Sequence, residues 1–155
     1  MRIEAANRNL DHQRENLRSI SYEWGQKFGA GALSLMTLKE FWETRTDDET
    51  GISIVSVRRP AEARTIQENE GVIFWIDADQ DERYDRIQKA SRGRVDDLVS
   101  PEEFRNQEKI EMNPNTDDPF VINMAGVREI ADVHIWNDSP TGEEYKSRLV
   151  DTYEL

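Results

Sequence analysis

The residues best suited to chemistry gather in one stretch, 71–94, GVIFWIDADQDERYDRIQKASRGR. An apolar run, 72–76, ends abruptly in Asp77-Ala78-Asp79, with Asp81 following. Carboxylates at alternate positions are the pattern of a calcium loop, in which oxygen ligands surround a hard cation. Such a loop also needs glycine at its sixth position and a bidentate glutamate at its twelfth, where this chain has Glu82 and Gln88. The plainer reading is that these carboxylates satisfy the loop and the amino end of the helix that follows.

Arginines are the second set. Arg58-Arg59 comes directly after another apolar run, 52–57 (ISIVSV), and Arg83, Arg86, Arg92 and Arg94 crowd the stretch after the aspartates. Guanidinium binds phosphate bidentately and does not lose its proton, so such clusters suit a small anion. The competing account is pairing with nearby carboxylates, Asp79, Asp81, Glu82 and Asp85, at roughly 0.3–0.5 kcal/mol per pair.

Strands and helices must hold these groups. The run 72–76 is too short for an amphipathic helix and rich in β-branched and aromatic residues, which predicts a central strand buried on both faces. With the helix behind it, carrying Tyr84 and Ile87 on one face, it makes a βα unit whose strand end faces a ligand crevice. The run 52–57 predicts a second strand. Pro60 suits the first turn of a short helix over 60–69, which implies a right-handed parallel crossover into 72–76.

Before these, Leu17, Ile20, Ser21, Trp24 and Phe28 fall on one face of a helix over 14–28, which Gly29-Ala30-Gly31 stops. A helix over 32–43 is expected to bury Leu35, Leu38 and Phe41 or Trp42. After them, Ser100-Pro101-Glu102-Glu103 is a helix start, leading to about Met112 with Phe104 and Ile110 as its apolar residues. A helix over 121–131, a strand over 133–136 and a closing helix over 141–150 complete an alternation that reads as α/β.

At 155 residues the chain fits one domain. Its net charge of −12 disfavours nucleic acid or an anionic membrane as partner. It has no cysteine, so disulfides, thiol nucleophiles and cysteine metal sites are excluded. His12 and His134 stand in no ligand pattern, and no metal site is assigned. No run approaches the ~20 apolar residues of a membrane span, and MRIEAANRNLDH lacks a signal-peptide core. A cytoplasmic protein is the expectation.

The order of the pieces resembles the P-loop nucleoside and nucleotide kinases, closest to the dephospho-CoA kinase-like and deoxynucleoside-monophosphate-kinase-like subgroup. The residues that carry it are a strand followed by R-R-P, then IDAD-x-x-x-RY-x-RI, an arginine-bearing segment, S-x-EEF, IADV-x-I-x-N and a closing T-x-EE helix. The resemblance spans nearly the whole chain. It implies a single three-layer α/β domain, a parallel sheet flanked by helices, with acceptor-side helices over 1–50 and a core with lid over 51–155. By it, Arg58 matches an acceptor-phosphate arginine, joined by Arg59 and, more weakly, Arg14. Arg86, Arg92 and Arg94 match the lid over the donor phosphates, and Asn137 and Asp138 a segment near the donor's adenine. ATP and Mg²⁺ are the cofactors it implies, and a small nucleotide or nucleotide-like molecule the acceptor.

Two departures limit the reading. The glycine-rich loop G-x-x-x-x-G-K-[ST] and its strand are absent from this sequence, and Val55 stands where the resemblance expects an acid near the Mg²⁺ shell. The sheet would then lack its first strand, leaving its neighbours to pair directly or to borrow a strand from a partner, a homodimer being one such arrangement. The expected function is accordingly a truncated or degenerate nucleotide-kinase-type phosphotransferase of low or no activity. The alternative is a non-catalytic nucleotide-binding or protein-interaction module. An aspartate pair after an apolar strand also resembles the haloacid-dehalogenase phosphatases, so an Asp77- and Asp79-dependent phosphatase is a third reading.

Overall fold

A computed structural model describes residues 2–11, 14–90 and 99–153. In chain order it forms α1 (Arg2–Asn7), α2 (Arg14–Phe28), α3 (Ala32–Thr44), α4 (Pro60–Glu68), β1 (Phe74–Asp77), α5 (Gln80–Lys89), α6 (Pro101–Met112), α7 (Met124–Glu129), β2 (Val133–Trp136) and α8 (Gly142–Tyr153). The expected three-layer parallel sheet is not what the chain makes. Helix dominates, and the described sheet is two-stranded, β1 beside β2 in parallel, with Phe74 opposite Val133 and Asp77 opposite Trp136.

The strand expected over 52–57 is the largest departure. These residues join no ladder. Ser56 takes a φ of 65°, which breaks the extended run. Ile54 and Val57 turn onto the core, while Ile52 and Val55 stay 42% and 79% exposed. A β-branched sequence favours a strand only where a neighbour completes its hydrogen bonds, and no described segment does so here.

Nor is β1 buried on both faces. Ile73, just ahead of it, is 6% exposed and packs with Ala63, Ile66 and Val127, and Trp75 and Ile130 lean on the same cluster. Phe74 and Ile76 point the other way and stay partly open, Phe74 forming a T-shaped pair with the Tyr153 ring of α8 at a centroid separation of 5.6 Å. A sheet covered thickly on one face and thinly on the other leaves alternate side chains in water.

Local chemistry explains the helix boundaries. Asp79 caps α5 by accepting from the amides of Asp81 and Glu82. At α6, the Ser100 hydroxyl accepts from the Glu103 amide while Glu103 accepts from the Ser100 amide, a capping box with Pro101 at the first position. Asn123 caps α7 through the Gly126 amide, which starts that helix three residues later than the periodicity predicts. At the end of α4, Gly71 N–H reaches Ile66 O and Glu70 N–H reaches Gln67 O, with Glu70 left-handed at φ 64°. This is a Schellman ending with glutamate where glycine is usual.

Helix α3 buries Leu38 as expected and half-buries Phe41, but it turns Leu35 and Trp42 outward. Ala32, Ser34 and Leu38 face inward, while Leu35 and Trp42 are 54% and 56% exposed. The approach to α4 is close enough to require this. A Cβ on Gly31 would lie 2.1 Å from the Thr65 hydroxyl and 2.9 Å from the Ala61 carbonyl. In α6, Phe104 is buried against Tyr84 of α5 at a ring separation of 5.5 Å, but Ile110 is 67% exposed.

Candidate functional site

All the carboxyl ends of interest lie at one end of the sheet. Asp77 closes β1, Asn137 follows β2, and their backbones are joined there by Asn137 N–H to Asp77 O at 2.7 Å. At this end an open parallel sheet would admit a ligand.

Here the end is closed by side chains. Arg83 donates from Nη1 to Asp77 Oδ1 and to Ala78 O, and its Nε and Nη2 form a fork on the two oxygens of Glu108 at 3.1 and 2.7 Å. Gln80 adds a bond to Glu108 Oε2 at 2.8 Å. The other oxygen of Asp77 accepts from the Trp75 indole at 3.3 Å, and the Ala78 amide bonds Oδ1 at 2.9 Å. Both oxygens of Asp77 are therefore engaged, and Asp79 is committed as a helix cap. These carboxylates do structural work, as the plainer reading of the sequence held.

Arg86 lies beside the residues after β2. Its Nη1 and Nη2 each donate to Asn137 O at 3.2 Å, and Nη2 also reaches Ser139 O at 3.3 Å and Glu82 at 3.0 Å. Asp138 pairs with Arg148 at 2.6 Å, and Arg148 donates from its other nitrogen to Trp136 O at 2.6 Å. The bond from Arg148 holds the Asp138 carboxyl below the usual carboxylate range. The structure thus brings Arg86, Asn137 and Asp138 together, with the guanidinium serving as a clasp on carbonyls. Two atoms nearby are buried without a hydrogen-bond partner among the described residues, Asn137 Oδ1 and the Tyr145 hydroxyl. Burial pushes the Tyr145 phenol upward.

Arg58 and Arg59 stand apart from that group, ahead of α4. Arg59 is 4% exposed, and its three guanidinium nitrogens donate to Phe120 O at 2.8 Å, Glu62 at 3.0 Å and Ser21 at 2.8 Å. Glu62 accepts from the amides of Arg58 and Arg59 through Oε2, which secures the start of α4. The Arg58 guanidinium is more open and reaches Glu111 at 3.5 Å, a carboxylate that also pairs with Arg18. Arg14 opens α2, its side chain outside the described residues, and Arg92 and Arg94 also lie outside them.

Among the described residues, no three His, Asp or Glu side chains stand close enough to hold a metal ion, and the acids nearest the strand ends are already bonded. No helix among these residues is long and apolar enough to cross a membrane. The residues that organise the two ends of the sheet, Glu108 and Arg148 at the carboxyl end and Asp132 at the amino end, carry no local signal. Each acts on an element distant in sequence, and only the packing of α6, α8 and the start of β2 brings it in.

No family model matches the chain, and no curated protein or solved structure is similar to it.

Proposed function

We propose that this chain is a non-catalytic binding module that works through an interaction surface on its small sheet. The observation that carries this reading is the outer edge of β1. The carbonyls of Ile73 and Asp77 accept bonds from β2-side amides, so the odd-numbered residues of β1 face β2. By the alternation of a parallel ladder, the N–H and C=O of Phe74 and Ile76 point to the opposite edge. No described group bonds them there. Val72, Phe74 and Ile76 beside it are 54%, 41% and 51% exposed. The engagement of Arg59, Arg83 and Arg86 with carboxylates and carbonyls supports the same reading, since those charges are not free to receive phosphate.

Isothermal calorimetry with ATP, AMP and dAMP tests it, alongside a coupled assay for phosphoryl transfer. Absence of heat and of turnover is the expected result. Binding of a nucleotide, or turnover, overturns the reading in favour of a second one, a degenerate nucleotide-kinase-type phosphotransferase. That second reading is favoured by the unpartnered Asn137 Oδ1 close to Arg86, and by Arg58, whose side chain is 39% exposed.

A further inference from the structure

The open edge of β1 also carries information about what would cover it. Pairing with another strand satisfies the Phe74 and Ile76 backbone groups, and an apolar strand also shields the side chains beside them. The outer edge of β2 is less available, because Arg148 already occupies the Trp136 carbonyl.

Charge is distributed unevenly along the edge. At the carboxyl end, Asp77, Asp81 and Glu82 are paired with Arg83, Arg105 and Arg86. At the amino end, Glu68 and Glu70 precede β1, and no described cation pairs with either. Asp47 and Asp48, ahead of the exposed 52–57 segment that packs on the same core cluster, are likewise unpaired among described residues. A second copy of this chain would bring the same acids and a further net charge of −12.

We propose, building on the interaction-module reading, that the outer edge of β1 accepts a β-strand from a different protein. That strand is apolar along its middle and carries lysine or arginine at the end that lies beside Glu68 and Glu70. The backbone of Phe74 and Ile76 supplies the hydrogen bonds, and the acidic amino end sets how the strand lies along the edge.

Amide hydrogen exchange on the intact chain tests this with three synthetic probe peptides. One has two lysines at each end of an alternating Val-Thr run, one has glutamates in place of the lysines, and one has proline at alternate positions of the run. In the free chain, the Phe74 and Ile76 amides should exchange quickly while those of Trp75 and Asp77 are protected. The lysine peptide should slow exchange at Phe74 and Ile76. The glutamate peptide should bind about tenfold more weakly at low salt, with the gap closing as salt rises, and the proline peptide should give no protection. Failure of the lysine peptide to protect these amides overturns the proposal, as does equal protection by all three. Protection that grows with protein concentration alone also overturns it, since the edge then belongs to a second copy. These outcomes are independent of nucleotide calorimetry, so loss of this proposal leaves the non-catalytic reading standing.

Discussion

Arg59 and Glu62 form an ion pair inside the protein: Nη1 of the arginine lies 3.0 Å from Oε1 of the glutamate, with only 5% and 8% of the two side chains exposed. The arginine also ties α2 to the loop before α7, through Ser21 and the Phe120 carbonyl. Glu62 secures the backbone at the head of α4. One pair therefore joins three parts of the chain.

Removing either partner leaves the other charged and buried. Glu62→Ala should destabilise the protein by about 3–5 kcal/mol, read from urea unfolding midpoints. Arg59→Met should cost less than Glu62→Ala, because it leaves an acid that still accepts two backbone amides. The double variant should fall well short of the sum of the single effects.

Arg83 closes the end of β1 by bridging Asp77 and Glu108. Arg83→Ala should cost about 1–3 kcal/mol, since it frees two partly buried carboxylates and a carbonyl at once. Arg83→Lys should recover only part of this, because an ammonium cannot reproduce the two-pronged contact with Glu108. Thermal unfolding of the three proteins side by side checks the order.

Glu70 occupies a left-handed position that glycine takes without strain. Glu70→Gly should stabilise by about 0.5–1 kcal/mol. Gly29, at φ 100° past the end of α2 and with open space where a Cβ would project, should show the reverse. Gly29→Ala should cost about 1–2 kcal/mol through backbone conformation alone.

Asp132 holds the start of β1 to the start of β2. Its carboxylate accepts from the Ile73 amide at 2.7 Å and from the Gln67 amide group at 3.0 Å. Those bonds, the Ile73 amide foremost, hold the Asp132 carboxyl below its ordinary range. A lowered folded value means the stabilisation is present above the unfolded value and is lost as pH falls through the folded one. Asp132→Asn should therefore be less stable than the parent at neutral pH, and the gap should shrink on acidification through the aspartate range. Urea midpoints at a series of pH values measure this.

Much of the local structure could be read from the amino acids alone. The periodicity of α2, the proline starts of α4 and α6, the Ser100 capping box and the aspartate cap of α5 depend on residues a few positions apart. Their energetics are settled within one helical turn. The assignment of Asp79 to a helix start, in preference to a metal, was legible for the same reason.

Pairing and burial were not legible in this way. The runs 52–57 and 72–76 are similar in composition, yet one becomes an unpaired segment and the other a strand. A ladder needs a second chain segment at the right distance, and composition does not specify that distance. Arginine roles divided likewise: Arg59, Arg83 and Arg86 all follow apolar runs in the sequence, and only tertiary packing supplied the carbonyls and carboxylates that engage them. The sequence by itself determined where helices start and which residues are chemically able to act. The tertiary structure decided which of them were consumed by the fold, because hydrogen bonds and ion pairs between distant elements exist only once those elements have packed. Among the described residues it also left the outer edge of β1 without a partner.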